Sequence, residues 1–226
     1  MSPDLAQCSP EGTWLEIVAA RVRAHAWVAD AHALRCRPDS LEPAGATMLV
    51  VPNTTGVRVL RSSGRMRLVA EWQELIRTEP SVAPVPLQWR LLESLPQPGS
   101  EAEARCTEPV RQPIVSDLAR VADHALRCGI CVPFDLAIFR GHFPAIPIVP
   151  AVVQIGWALD LARAHLEAAG RFMGIISAKF RRIVQPGMCL ALALEYRPEI
   201  GQLSFEYSLR DAAVSIGRVR CGGADV

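Results

Sequence analysis

The sequence predicts an α+β protein built as two modules, and three observations predict it. The stretch from Leu95 to Val115, "LPQPGSEAEARCTEPVRQPIV", holds four prolines and several charges with little periodicity, as a linker does. Before it, two helical patterns alternate with extended runs. Around and after it, one long apolar helix pattern stands among five strand-like runs, which reads as an antiparallel sheet packed on a single helix. The expected organisation is a small α+β module over residues 1–104, a linker over 105–113 and a sheet-and-helix domain over 114–226.

In the first module, Leu15, Val18, Ala19 and Val22 fall at helical spacing, and Thr13 with Glu16 suits a capping box. An extended run follows over Ala46 to Pro52, then a helix pattern from Gly64 to Arg77 and a short strand around Trp89 to Leu92. No Walker-type phosphate loop and no G-x-G-x-x-G after a strand is present.

In the second module, His124 to Pro133, Gly174 to Val184, Met188 to Tyr196, Leu203 to Leu209 and Ala213 to Cys221 read as strands rich in β-branched and aliphatic residues. Pro150 to Ala169 reads as one helix, with proline at its first position and Gly170 just past its end. Val152, Val153, Ile155, Trp157, Leu159 and Leu161 leave it only a narrow polar stripe, so it is expected to be buried.

Composition narrows the function classes. The formal net charge is +1, with 24 basic and 23 acidic residues spread along the chain, so there is no basic stripe to hold nucleic acid. No apolar run reaches the roughly 18 to 20 residues that span a bilayer, and the start lacks a signal pattern, so a cytoplasmic protein is expected. Seven cysteines at irregular spacing argue against a secreted disulfide framework. Cys128 and Cys131 form a C-x-x-C in an extended run, where positions three apart face opposite ways, and no second pair or nearby histidine completes a metal site. Lys179 is the sole lysine, which excludes lysine chemistry in the first half.

The segments "VRAHAWVADAHAL", "GRMRLVAEWQELI" and "PLQWRLLESLPQPGSEAEA" resemble, in order, pieces of the small C-terminal subdomain of acyl-AMP ligases. That likeness covers about Trp14 to Ala104. Those ligases carry a catalytic lysine after the proline turn, whereas Gln97-Pro98-Gly99-Ser100-Glu101 holds none. The likeness therefore implies a degenerate module, a scaffold or docking piece without ligase activity.

The segment "FRGHFPAIPIVPAVVQIGWAL" resembles the active-site signature of the 3-hydroxyacyl-(acyl carrier protein) dehydratases, nearest to the aryl-polyene branch, and "AKFRRIVQPGMCLALALEY" resembles the strand pair that follows it. The likeness covers about Ile114 to Cys221 and implies the hot-dog fold, an antiparallel sheet wrapped around one long helix. It also implies elimination of water from a 3-hydroxyacyl thioester, in a specialised fatty-acid or aryl-polyene pathway. The substrate would ride on the phosphopantetheine of acyl carrier protein, with no cofactor and no metal. In that branch the domain is sometimes fused behind an acyl-AMP ligase, which agrees with the first half.

By the same resemblance His142 is the base, held by a loop with Pro144, Pro147 and Pro150. Phe143 and Pro150 are expected along the substrate path, and Trp157 either in the core or as a wall of the acyl tunnel. The N–H groups of Ala151 and Val152 at the helix start suit an oxyanion, and Gln154 suits a water or the substrate carbonyl. The family's carboxylate position falls on Gly156. Asp160, one turn on, is the substitute on offer, against an ordinary ion pair with Arg163. Because such sites are shared across a dimer, the remaining alternatives are a homodimer without acids, a heterodimer with a second hot-dog protein that supplies one, or a noncatalytic subunit that binds acyl thioesters.

Overall fold

The computed structural model describes residues 10–35, 45–79, 86–100, 103, 108–166 and 171–222. Two compact units emerge, one of Met1–Pro109 with Pro144–Ile146 and one of Val110–Phe143 with Pro147–Val226. Part of the expected linker, residues 105–107, lies outside the described residues, as do Glu101, Ala104 and Gly170.

The first unit holds α1 (Pro10–Arg23), β1 (Val28–Arg35), β2 (Ala46–Pro52), α2 (Thr54–Arg77) and β3 (Leu87–Leu91). Its sheet runs β1-β2-β3, antiparallel then parallel, with the aliphatic strand β2 in the middle and almost wholly buried. Two expectations are corrected here. The helix α1 starts at Pro10, so Thr13 lies inside it and cannot be its N-cap. The helix expected from Gly64 begins at Thr54, where Asn53 accepts hydrogen bonds from the N–H groups of Thr55 (2.9 Å) and Gly56 (3.0 Å). Gly64, at φ 77°, marks a kink inside α2.

The second unit holds β4 (Ile114–Ala122), β5 (Ala125–Cys131), α3 (Ala151–His165), β6 (Phe172–Phe180), β7 (Cys189–Arg197), β8 (Gln202–Leu209) and β9 (Ala212–Cys221). All neighbours in the six-stranded sheet β4-β5-β7-β8-β9-β6 are antiparallel. The sheet lays one face against α3, and this is the hot-dog arrangement. Alternation builds the core. Leu126, Cys128 and Ile130 of β5, Leu190, Leu192 and Leu194 of β7, and Leu203, Phe205 and Tyr207 of β8 are buried against Ile155, Trp157, Ala158 and Ala162 of α3.

Three details differ from expectation in this unit. The strand β4 was not foreseen, because all nine of its residues are exposed and impose no alternation. The helix α3 is shorter than Pro150 to Ala169: Pro150 is its N-cap, and Leu166 its C-cap. Cys131 and Cys189 face each other on β5 and β7 and form a disulfide, so the chain holds a cross-strand link although no framework was expected. Cys128, three residues from Cys131, points into the core as the strand period requires.

Candidate active site

The segment between β5 and α3 carries the histidine. Asp135, only 1% exposed, lies 3.4 Å from the Arg140 guanidinium and precedes a short 3-10 turn, Ala137–Arg140. The N–H of His142 donates to the Ile138 carbonyl (3.0 Å), which fixes the histidine backbone to that turn. Phe143 follows in the left-handed region, at φ 50°, a conformation that costs a non-glycine residue roughly 1–3 kcal/mol. Its ring meets the His142 ring edge-on at 4.5 Å between centroids. Such strain beside a titratable group is a feature of functional loops.

His142 opens into a cavity of about 550 Å³ whose wall includes Pro150, Ala151, Val152, Gln154 and the strand exit Phe180 to Val184. Pro150 makes no side-chain cap, and the first bonds of α3 run from the Val153 (3.1 Å) and Gln154 (3.2 Å) N–H groups back to the Pro150 carbonyl. The N–H groups of Ala151 and Val152 precede those bonds and so have no carbonyl one turn earlier in the helix. The positive end of the helix dipole therefore lines the same cavity as the imidazole.

Behind the wall lies a buried polar cluster. The Ser215 hydroxyl donates to Gln154 Oε1 (2.5 Å), Gln154 Nε2 donates to the Val149 carbonyl (3.1 Å), and the Tyr207 hydroxyl donates to the Gln154 carbonyl (2.8 Å). Burial, with a smaller contribution from Cys128, pushes the Tyr207 phenol far up from its ordinary range, so it remains a donor. Neither Ser215 nor Tyr207 was singled out in the sequence, since they reach Gln154 only through sheet pairing.

A family model described as ApeI dehydratase matches residues 119–218. The chain is 45% identical over 74 residues to the 3-hydroxyacyl-[acyl-carrier-protein] dehydratase FabZ of Erythrobacter litoralis, covering 29% of this chain and 49% of that one. With FabZ of Levilactobacillus brevis the identity is 31% over 105 residues, covering 42% of this chain and 70% of that protein. The chain belongs to the hot-dog dehydratase family. It spans about half the length of several of the curated relatives it matches. The solved Dehydratase Heterocomplex ApeI:P from Xenorhabdus doucetiae is 31% identical, covering 49% of this chain and 99% of that one at a TM-score of 0.47.

In this member of the family, five foreseen residues, His142, Pro150, Ala151, Val152 and Gln154, border one cavity. Phe143 touches the His142 ring, and Trp157, 4% exposed, is part of the core. Gln154 lines the wall, and its amide is also engaged at both ends, to Ser215 and to Val149, which ties that wall to the sheet. Gly156 is half-buried, and a Cβ added there would meet nothing within 4 Å. Of the two alternatives at Asp160 the ion pair is present: 57% exposed, its carboxylate sits 3.5 Å from the Arg163 guanidinium, in the ordinary i,i+3 pair. It is absent from the described cavity wall.

A second cavity of about 570 Å³ lies on the other face of the sheet, bordered by Arg127, Lys179, Glu195, Glu206 and Arg218, and does not include His142. Its charged side chains are solvated and form no buried polar constellation. Among the described residues no group of three or more His, Cys, Asp or Glu could hold a metal ion. Among them, too, no helix is long and apolar enough to cross a membrane.

Proposed function

We propose that this chain contributes the histidine half of a 3-hydroxyacyl-thioester dehydratase acting on substrate carried by acyl carrier protein. One observation carries the reading: the imidazole of His142 and the uncapped start of α3 border the same cavity. His142 takes the proton from C2 of the acyl chain, while the Ala151 and Val152 N–H groups hold the negative charge that gathers on the thioester oxygen. The C3–O bond then breaks, the C2–C3 double bond forms, and the departing hydroxide must take up a proton to leave as water.

This chain offers no acid for that last proton at Gly156, and Asp160 is spent on Arg163. The donor therefore comes from a second hot-dog chain, as the sharing of such sites across a dimer supports. A noncatalytic acyl-binding subunit is the second reading, favoured by the same vacancy at Gly156. The first unit, an α+β body without a lysine among its residues, serves as a scaffold or docking piece related to the ligase subdomain.

The test is turnover of a 3-hydroxyacyl-carrier protein by the purified chain, alone and with a hot-dog partner from the same cell, beside His142→Ala. General base catalysis is worth about 10²–10⁴ in rate, and the variant should lose that much while remaining folded. A folded chain that is inactive in both settings leaves only the acyl-binding reading.

A further inference from the structure

Cys131 and Cys189 face each other as the last register pair between β5 and β7 and are joined by a disulfide. Six further pairs, from Ala125 opposite Glu195 to Ile130 opposite Leu190, already align the two strands. Their aliphatic residues are buried in the core, so the pairing of the strands stands without the bond.

What lies beyond the bond is the candidate site. From Cys131 the chain runs through Asp135 and the Ala137–Arg140 turn to His142. Backwards from Cys189 it runs through Met188 to Val184 and Ile183, which border the His142 cavity. The Val184 carbonyl accepts from the Val149 N–H (2.7 Å), one residue before the Pro150 cap of α3. One strand exit therefore carries the base, and the other anchors the helix start. Past the disulfide two backbone bonds join these exits, from the Val132 N–H to the Met188 carbonyl (2.9 Å) and from the Gly187 N–H to the Val132 carbonyl (2.8 Å). The Phe134 ring lies over Gly187, at φ 69°, where a Cβ would run into it. Bonds at the end of a ladder open more easily than those of the core, and a covalent link at their root opposes that opening.

The four cysteines of this unit differ in access. Cys189 is exposed and Cys131 half-buried, whereas Cys128 and Cys221 are free thiols in the core. Burial pushes both core thiols up and keeps them protonated and unreactive. An exposed disulfide, unlike one sealed in a core, is open to an incoming thiolate and belongs to the labile class.

We propose that Cys131 and Cys189 form a thiol–disulfide exchange site that governs how firmly the His142 loop and the start of α3 are held. A thiolate of a dithiol reductant attacks Sγ of the exposed Cys189, forming a mixed disulfide and releasing the Cys131 thiolate, which takes up a proton. The second thiolate of the reductant then displaces Cys189, which is protonated in turn, and the reductant closes to its own disulfide. The pair thus gains two electrons and two protons, and an oxidised dithiol of the same class runs the steps in reverse. The bonded form clamps both exits, and the dithiol form frees their end bonds. For its catalytic arm the proposal rests on the dehydratase reading.

Amide hydrogen exchange of the full chain with and without dithiothreitol tests the clamp. Cys8, Cys36 and Cys106, outside the described residues, are replaced by serine so that they do not take part. Alkylation of the reduced, folded chain should label Cys131 and Cys189 and spare Cys128 and Cys221. The amides of Val132, Gly187 and Val149 should then exchange about tenfold or more faster. That gain should hardly change with low concentrations of urea, as for a local opening, whereas the core amides of β8 follow the global stability. Cys131→Ser with Cys189→Ser should exchange like the reduced chain and be indifferent to the reductant. A bond that yields only when the sheet unfolds overturns the proposal. So do end amides that exchange as before on reduction, or that gain only in step with those of β8.

Turnover of a 3-hydroxyacyl-carrier protein, measured with the hot-dog partner present, reads the catalytic arm. It should fall on reduction toward the roughly 10²-fold that a misplacement of about 1 Å costs, and the double serine variant should not respond. Equal turnover in the two states of an active chain overturns control of the site. Exchange that responds while neither state turns substrate over sinks the dehydratase reading and leaves the exchange site standing.

Discussion

The Ser215 hydroxyl on β9 donates a 2.5 Å hydrogen bond to Gln154 Oε1 on α3. Gln154 passes the constraint on, donating from Nε2 to the Val149 carbonyl at 3.1 Å, one residue before the Pro150 cap. Ser215 is 0% and Gln154 3% exposed, so no water stands ready to replace either partner. The start of α3, whose N–H groups face the cavity, is thereby tied to the sheet.

Replacing Gln154 by Leu strands the Ser215 hydroxyl and the Val149 carbonyl in the interior. An orphaned buried polar group costs about 1–3 kcal/mol, and urea unfolding should show a loss in that range or above. Ser215→Ala alone should cost about 1 kcal/mol. The double variant should lose less than the two singles added, because each removes the same bond. Strict additivity would mean that the bond does not hold the two elements together.

At Gly156 the opposite sign is expected. Glycine inside a helix is destabilising by roughly 0.5–1 kcal/mol relative to alanine. A Cβ there meets nothing within 4 Å, so Gly156→Ala should raise stability by about that amount. Thermal unfolding should move upward. A downward shift would mean that the position is filled in solution, for instance by a partner in close contact.

The first unit should weaken in acid through His25. Burial is the larger cause and lowers its pKa, while Glu71 opposes it weakly. Nδ1 also accepts from the Trp27 N–H at 3.2 Å, which only the neutral ring can do. Because the folded state takes up this proton less readily than the unfolded chain, stability is full above the unfolded value near 6.5 and falls as pH drops below it. Urea midpoints at pH 7.5 and 5.5, followed by tryptophan fluorescence of Trp72 and Trp89, should differ, and His25→Gln should reduce the difference. An unchanged difference would place the acid sensitivity elsewhere.

The bond between Cys131 and Cys189 closes a loop with a sequence separation of 58. Cross-links of this kind contribute about 2–4 kcal/mol, chiefly by restricting the unfolded chain. Under oxidising conditions Cys189→Ser should lower stability by that amount, and under reducing conditions variant and parent should match. Equal stability in both conditions would show that the two thiols do not cross-link in solution.

Much of the fold was legible because its periods are local. The aliphatic runs of β5 and β7 alternate, the run after Pro150 repeats at helical spacing, and the His-Phe-Pro signature lies within one short segment. Features without such a period escaped. All nine residues of β4 are exposed, so burial never imposed alternation on them. The first half of α2 was hidden by Gly64, which resembles a boundary in sequence but is a kink in a longer helix.

The site divides along the same line. His142, its prolines and the vacancy at Gly156 are properties of neighbouring residues, so the sequence by itself determined that this is a histidine loop leading into a helix without its carboxylate. Only the tertiary structure decided that Ser215 and Gln154, 61 positions apart, meet, that Cys131 finds Cys189, and that Asp160 turns to Arg163 and solvent. Those outcomes depend on strand register and on which face of α3 is buried. Both are set by packing the whole sheet against one helix, and no short window of residues encodes them.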